Sequence, residues 1–458
     1  MLFNSYEYLC FFLPLALAGY FALARRPALA TLWLTAASLA FYAWWRPADL
    51  PLIVASILGN FALGRALQAA RPGGGALLAL GVGANLAALG FFKYTAFVLA
   101  SVAAATGTAM PVVDIALPLG ISFFTFTQIA FLVDCRRGRV REASLANYAL
   151  FVSFFPHLLA GPILHHAEMM PQFASPTNKR PLAGNLAAGV YLLAIGLAKK
   201  VLLADSLAPI ADAGFAHAGA VTTGGAWLAV VAYTLQLYFD FSGYTDMALG
   251  AARLFNIRMP VNFDSPYRAT DLSDFWRRWH ITLSRFLREY LYIPLGGNRR
   301  GAARTAANLL VTFMLGGLWH GAAWTFVAWG ALHGAGLVTL RAWRRTGLEL
   351  PRFAAWALTL LFVMVGWVFF RAASLADAAA LLRAMAGAAP AAPSGPAAGA
   401  AELGMVAVAA LLALWPRNSN AMVADFVPRP RNAFAVAASL VVCLLHLGRV
   451  TPFLYFNF

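Results

Sequence analysis

Apolar runs of bilayer-crossing length recur along almost the whole chain, and they restrict it to one kind of solvent. A membrane span needs about 20 mostly apolar residues. Runs of that order lie near 7–24, 28–45, 50–69, 76–99, 113–133, 144–163, 185–203 and 226–252, and resume near 306–340, 353–371, 403–416 and 433–449. In lipid every backbone N–H and C=O must find its partner inside the protein, so such runs fold as helices. The 306–340 run is too long for one helix and predicts two, or a broken one. The expected fold class is therefore an all-α polytopic membrane protein, a single membrane domain over residues 1–458, with roughly 11–13 transmembrane helices, some short or re-entrant. Composition agrees: 61% of residues are hydrophobic and 11% charged, whereas a soluble domain carries about 25% charged residues.

The basic excess has a topological reading. There are 34 Lys and Arg against 18 Asp and Glu, a net charge of +16. On a soluble domain this would point to nucleic acid. Here the basic residues fall in short clusters between apolar runs, at Arg25-Arg26, Arg136-Arg137-Gly-Arg139, Lys199-Lys200 and Arg344-Arg345. They read as topology signals and contacts with anionic membrane lipids, with no nucleic acid as partner. Arg25-Arg26, Arg71 and Arg136 to Arg141 follow the first, third and fifth runs, and 101–112 carries no basic residue. That alternation predicts an external N-terminus, although Lys179-Arg180 breaks it. The first run carries Glu7 and no basic flank, so it reads as the first membrane helix, not a cleaved leader. Cys10, Cys135 and Cys443 show no metal or CxxC spacing.

Two segments depart from the pattern. Residues 386–401 form an Ala/Pro/Gly-rich connector. Residues 258–304 are too charged to span lipid yet rich in Trp, Tyr and Phe. Asp271-Leu-Ser-Asp274 offers helix-capping chemistry, and Phe275, Trp276, Trp279, Leu283, Phe286, Leu287 and Tyr290 then recur at helical spacing. Arg277, Arg278, Arg285, Arg288 and Glu289 fall on the other side. This predicts one amphipathic helix at the membrane interface, ended by Pro294 and Gly296-Gly297. Taken alone it can be a plain interfacial anchor.

Ionisable groups in apolar surroundings are costly unless used or paired, which makes them the candidates for chemistry. His320 lies in Gly316-Gly-Leu-Trp-His-Gly321, where glycines let a substrate or another backbone come close. An imidazole suits proton transfer near neutral pH, while a bland core histidine bonded to a carbonyl is the alternative. His280 falls at the border of the aromatic and arginine faces of the interfacial helix. Asp240-Phe-Ser242-Gly-Tyr244-Thr-Asp246 puts two carboxylates inside an apolar run and predicts a helix break lining a cavity. Asn262-Phe-Asp264-Ser265-Pro266 reads as a turn. His165-His166-Ala-Glu168 has no recognised metal spacing, so no metal site is expected. His157, His217, His333 and His446 carry no usable pattern. No P-loop, dinucleotide fingerprint or G-x-S-x-G elbow is present.

These motifs resemble the membrane-bound O-acyltransferase family, in its alginate O-acetylation branch. More distantly, they are similar to the membrane protein that passes D-alanine to teichoic acids. The resemblance rests on Met1-Leu-Phe-Asn-Ser5, Phe124-Thr-Phe126, Ala160-Gly-Pro-Ile163, Asp240-Phe-Ser-Gly-Tyr244, Asp274-Phe-Trp-Arg-Arg-Trp-His280, Pro294-Leu-Gly-Gly-Asn298, Gly317-Leu-Trp-His-Gly321 and the terminal Pro452-Phe-Leu-Tyr-Phe-Asn-Phe458.

The resemblance implies a ring of tilted helices around a thinned centre in the bacterial inner membrane. It implies that a small acyl group, acetyl in this branch, passes from a cytoplasmic donor to hydroxyls of an exported polysaccharide. It makes His320 catalytic in a tunnel and His280 the second important histidine, near the donor. Trp319, Gly317, Gly321, Asp240, Ser242, Tyr244, Asp246, Asn262 and Trp276 become tunnel or support candidates, and Arg277 and Arg278 donor-facing ones. The donor is expected to be acetyl-CoA or another acyl thioester, with no resident cofactor. The expected partners are exported or periplasmic acetyltransferase subunits. The alternatives are a flippase or transporter for a lipid-linked sugar, and a non-catalytic scaffold.

Overall fold

The computed structural model describes residues 1–69, 74–140, 144–388, 399–415, 417–449 and 453–454. Most of the 386–401 connector, the terminal motif apart from Phe453 and Leu454, and Arg71 lie outside the described residues. Among the described residues every regular element is helical, as backbone satisfaction in lipid requires. Four helices are long and apolar enough to cross a membrane: Pro47–Ala69, Gly74–Thr106, Ala183–Ala216 and Arg352–Arg371. Shorter apolar helices run over Glu7–Ala22, Pro27–Ala43, Ala400–Leu414 and Pro430–His446. The helix expected at 113–133 begins later, at Ile121. Pro118 and Gly120, whose φ is +69°, keep the preceding segment out of the helix.

The chain divides into two compact units. The first comprises residues 1–194, 245–260 and 426–437. Its core is aromatic: Phe3, Tyr8, Phe12, Phe41 and Phe155 pack ring on ring. Two of its helices are joined through a pair of buried asparagines. Asn85 donates to the Asn60 carbonyl oxygen at 2.6 Å, a helix-to-helix bond suited to an apolar surround. Asp134 is buried and faces Arg137, Arg139 and His166, which places one member of the His165-His166 pair beside a carboxylate.

The second unit comprises residues 195–244, 261–425 and 438–458. It holds most of helix α1 (Thr223–Leu254), then α2 (Leu272–Arg278), α3 (Ile281–Leu287), α4 (Gly301–His320), α5 (Trp324–Trp343) and α6 (Arg352–Arg371). The 306–340 run is two helices, α4 and α5, turned at Gly321–Ala323.

Three expectations need correction. The interfacial helix is not continuous: it breaks at Trp279-His280 into α2 and α3. Hydrophobic spacing alone does not reveal the break, because the aromatic residues still bury on both pieces. The Asp240 segment contains no helix break either. α1 is continuous through it, because the Asp240 carboxylate is neutralised by a lysine and α1 does not have to unwind to satisfy it. That lysine is Lys200, read from sequence as a topology signal. It is buried and lies 2.7 Å from Asp240 and 2.8 Å from Asp205.

Candidate active site

The local sequence of α2 and α3 dictates where His280 sits. The Asp271 side chain caps α2 by accepting the Asp274 N–H at 2.8 Å, and it carries the negative charge favoured at a helix N-terminus. The helix ends after Arg278, and His280 takes a left-handed backbone, φ 44° and ψ 53°. A non-glycine residue there is strained by on the order of 1–3 kcal/mol, and such residues cluster at functional sites. Two backbone bonds hold the break: Asp264 N–H donates to the Arg278 carbonyl at 2.9 Å, and Ile281 N–H to the Asn262 carbonyl at 3.0 Å. The Asn262 side-chain oxygen lies 3.2 Å from His280 Nδ1. It also accepts from the Thr282 N–H at 3.2 Å and from its hydroxyl at 2.9 Å. The turn expected at Asn262–Pro266 is thus the brace of His280. Burial pushes the His280 imidazole down to about 3, so it is neutral across physiological pH and can act as a proton acceptor.

His320 reaches the same place from α4, as that helix's last residue. Its ring centre lies 6.2 Å from that of His280. Trp319 at 5.0 Å, Trp329 at 5.1 Å and Phe370 at 5.2 Å wall it in. Phe241 of α1 meets the His280 ring edge-on at 4.8 Å. Two histidines thus share a buried aromatic pocket.

The glycines around His320 serve backbone approach. A Cβ on Gly317 would sit 2.1 Å from the Phe326 carbonyl oxygen, and one on Gly330 2.2 Å from the Phe313 carbonyl oxygen. A Cβ on Gly321 would strike the Phe326 ring at 2.0 Å. Small residues at i and i+4, here Gly330 and Gly334, are the usual means of bringing membrane helices close. Gly317→Ala therefore forces α4 from α5 and moves His320. We expect a loss of about 1–3 kcal/mol, read as a lower unfolding temperature in detergent together with reduced activity.

Beside this pocket lies a cavity of about 610 Å³, lined by Arg277, Arg285, Arg288, Arg341 and Arg344 together with Trp276, Phe313, Ser284 and Thr312. Among the described residues no Asp or Glu lines it, and Arg277, Arg288 and Arg344 pair with Asp274, Glu289 and Asp271. Arg277 is exposed on this cavity. Arg278, its neighbour, does not line it and donates to Asp274 at 2.9 Å and to the Asp264 carbonyl, while Arg277 also reaches Asp274, at 3.4 Å. The sequence named Arg277 and Arg278 together, and only the fold separates them. Trp276 and Phe313 also flank His333, which is fully buried and has no hydrogen-bond partner at either ring nitrogen among the described residues. His333 carried no signal in the sequence, because an unpatterned histidine on an apolar helix looks like any core residue.

The Asp240 segment lies behind the pocket. Gly243 lets the 196–200 backbone approach, since a Cβ there would lie 2.8 Å from the Gly196 carbonyl oxygen, and Lys200 thereby reaches Asp240. The other Asp240 oxygen accepts the Leu454 N–H at 2.9 Å. Tyr244 stacks on Phe453 at 4.4 Å, and Phe453 touches Phe241. Ser242 is buried on the same helix, while Asp246, also buried, belongs to the first unit.

Residues 92–376, which include every pocket residue named above except Phe453 and Leu454, match the model of the membrane-bound O-acyltransferase family. The chain belongs to that family. The acyltransferase is 45% identical over 421 residues to a peptidoglycan O-acetyltransferase of Helicobacter pylori, covering 84% of this chain and 80% of the relative. It is 44% identical over 384 residues to a probable alginate O-acetylase, AlgI, of Azotobacter vinelandii, covering 82% and 76%. A teichoic acid D-alanyltransferase of Streptococcus thermophilus is 32% identical over 238 residues, covering 50% and 57%. The acyltransferase is a membrane enzyme.

Proposed function

We propose that this acyltransferase passes an acetyl group from a cytoplasmic acyl thioester, acetyl-CoA being the donor that best fits, to a hydroxyl of an exported polysaccharide outside the inner membrane. The observation that carries the reading is the pair of buried histidines next to an arginine-lined cavity. Guanidinium groups match phosphate oxygens in geometry and charge, so the cavity receives the anionic part of the donor. The acetyl thioester then extends past Trp276 toward the histidines.

In the reaction the imidazole of His320 takes the proton of the acceptor hydroxyl as its oxygen forms a bond to the acetyl carbonyl carbon. The carbon–sulfur bond breaks, and the leaving thiolate takes the proton back from the imidazolium. The aromatic walls keep water from competing with the acceptor. Exported acetyltransferase subunits complete delivery to the polymer, and anionic lipids contact the basic loops. The acceptor is an alginate-like exopolysaccharide. The similarity to a peptidoglycan O-acetyltransferase supports a second reading, in which the wall polymer is the acceptor.

One experiment tests donor site and acceptor together. Acetate released by mild alkali is measured in the exopolysaccharide and peptidoglycan fractions of cells carrying wild type or Arg277→Glu/Arg285→Glu/Arg341→Glu. We expect the ester in one fraction to fall at least roughly ten-fold in the variant, at equal membrane protein level, as contacts to donor phosphates turn repulsive. Unchanged ester in both fractions refutes the donor site.

A further inference from the structure

We propose that Asn262 is a positioning residue for the acyl transfer: it holds His280 as the Nδ1–H tautomer, which makes Nε2 the nitrogen that accepts a proton or hydrogen bond. This rests on the reading above, in which His280 takes part in transfer.

Thr282 settles the orientation of the amide. A backbone N–H can only donate, and that of Thr282 meets one terminal atom of the Asn262 side chain at 3.2 Å. That atom must be the carbonyl oxygen, since the amide NH₂ would set donor against donor. The same oxygen lies 3.2 Å from His280 Nδ1, so this nitrogen carries the hydrogen. A neutral imidazole has one N–H, and the lone pair therefore resides on Nε2.

A second observation shows that the amide is not arranged for its own benefit. Asn262 is buried, and its NH₂ has no acceptor among the described residues. An orphaned buried donor is unfavourable and calls for an explanation. Here the oxygen is committed to Thr282 and His280, and the nitrogen is left over. The backbone enforces the same commitment, since the Asn262 carbonyl is bonded to Ile281, the residue after the left-handed His280.

The tautomer can be read directly by ring-nitrogen NMR of the full chain in nanodiscs, with ¹⁵N-labelled histidine. The His280 signals are those lost in His280→Gln. At neutral pH the wild type is expected to show protonated Nδ1 and unprotonated Nε2 at His280. Asn262→Leu removes the acceptor, so the ring moves toward Nε2–H. Alkali-released acetate from the exported glycan falls roughly ten- to hundred-fold, the range for losing a partner that orients a histidine. Asn262→Asp keeps an acceptor, holds Nδ1–H and retains more ester than the leucine variant. A wild-type His280 found as Nε2–H overturns the proposal, as does a wild-type ester level in Asn262→Leu. If His280→Gln also leaves the ester intact, the participation of His280 is what fails. If His280→Gln loses ester while Asn262→Leu does not, the role of Asn262 alone is refuted.

Discussion

Cells that carry His320→Ala are expected to keep the protein in the membrane and lose the acetyl ester. Removing a positioned general base costs typically 10²–10⁴-fold in rate, enough to take polymer-bound acetate below detection. The fold should survive the change. His320 is the last residue of α4, and its neighbours Trp319, Trp329 and Phe370 also pack on each other or on adjacent aromatic rings. A cavity the size of an imidazole lowers stability without removing the helices. The comparison that decides is ester per unit of membrane protein, with His320→Gln as the polar control. Ester retained in both variants at wild-type protein level means that His320 is structural and that catalysis belongs elsewhere in the pocket.

Lys200→Met is expected to be among the most destabilising single changes in the second unit, and its effect appears in protein level before it appears in chemistry. Lys200 is the shared counter-ion of Asp240 and Asp205, with its ammonium within 2.8 Å of both. Methionine fills a similar volume and deletes the ammonium that faces buried Asp240 and half-buried Asp205. Breaking a buried ion pair by deleting one partner costs about 3–5 kcal/mol, a large share of a typical stability of about 5–15 kcal/mol. The damage spreads because Asp240 also holds Leu454, and Phe453 packs on Phe241 behind His280. Lys200→Arg retains the charge and should recover much of the loss. Thermal unfolding in detergent gives the answer. An unfolding temperature for Lys200→Met equal to that of wild type would mean that the pair contributes nothing to stability.

The sequence by itself determined the solvent and the element type. Apolar runs of bilayer length leave only helices, and every regular element among the described residues is helical. The 306–340 run was legible as two helices because its length exceeds one span. His320 was legible because glycines and tryptophans surround it within a few residues. His280 was legible as a residue but misplaced in its element. Periodicity along α2 and α3 reads as one helix, and the break depends on bonds from Asn262 and Asp264, 14 to 20 residues earlier. The same limit hid the partnership of Lys200 with Asp240, the divergence of Arg277 from Arg278 and the seclusion of His333. A hydrogen bond or ion pair between distant segments leaves no local pattern, because the partner's position in the chain is set by how helices pack and not by spacing. Composition and periodicity record what each segment buries. Only the tertiary structure decides which buried polar group meets which.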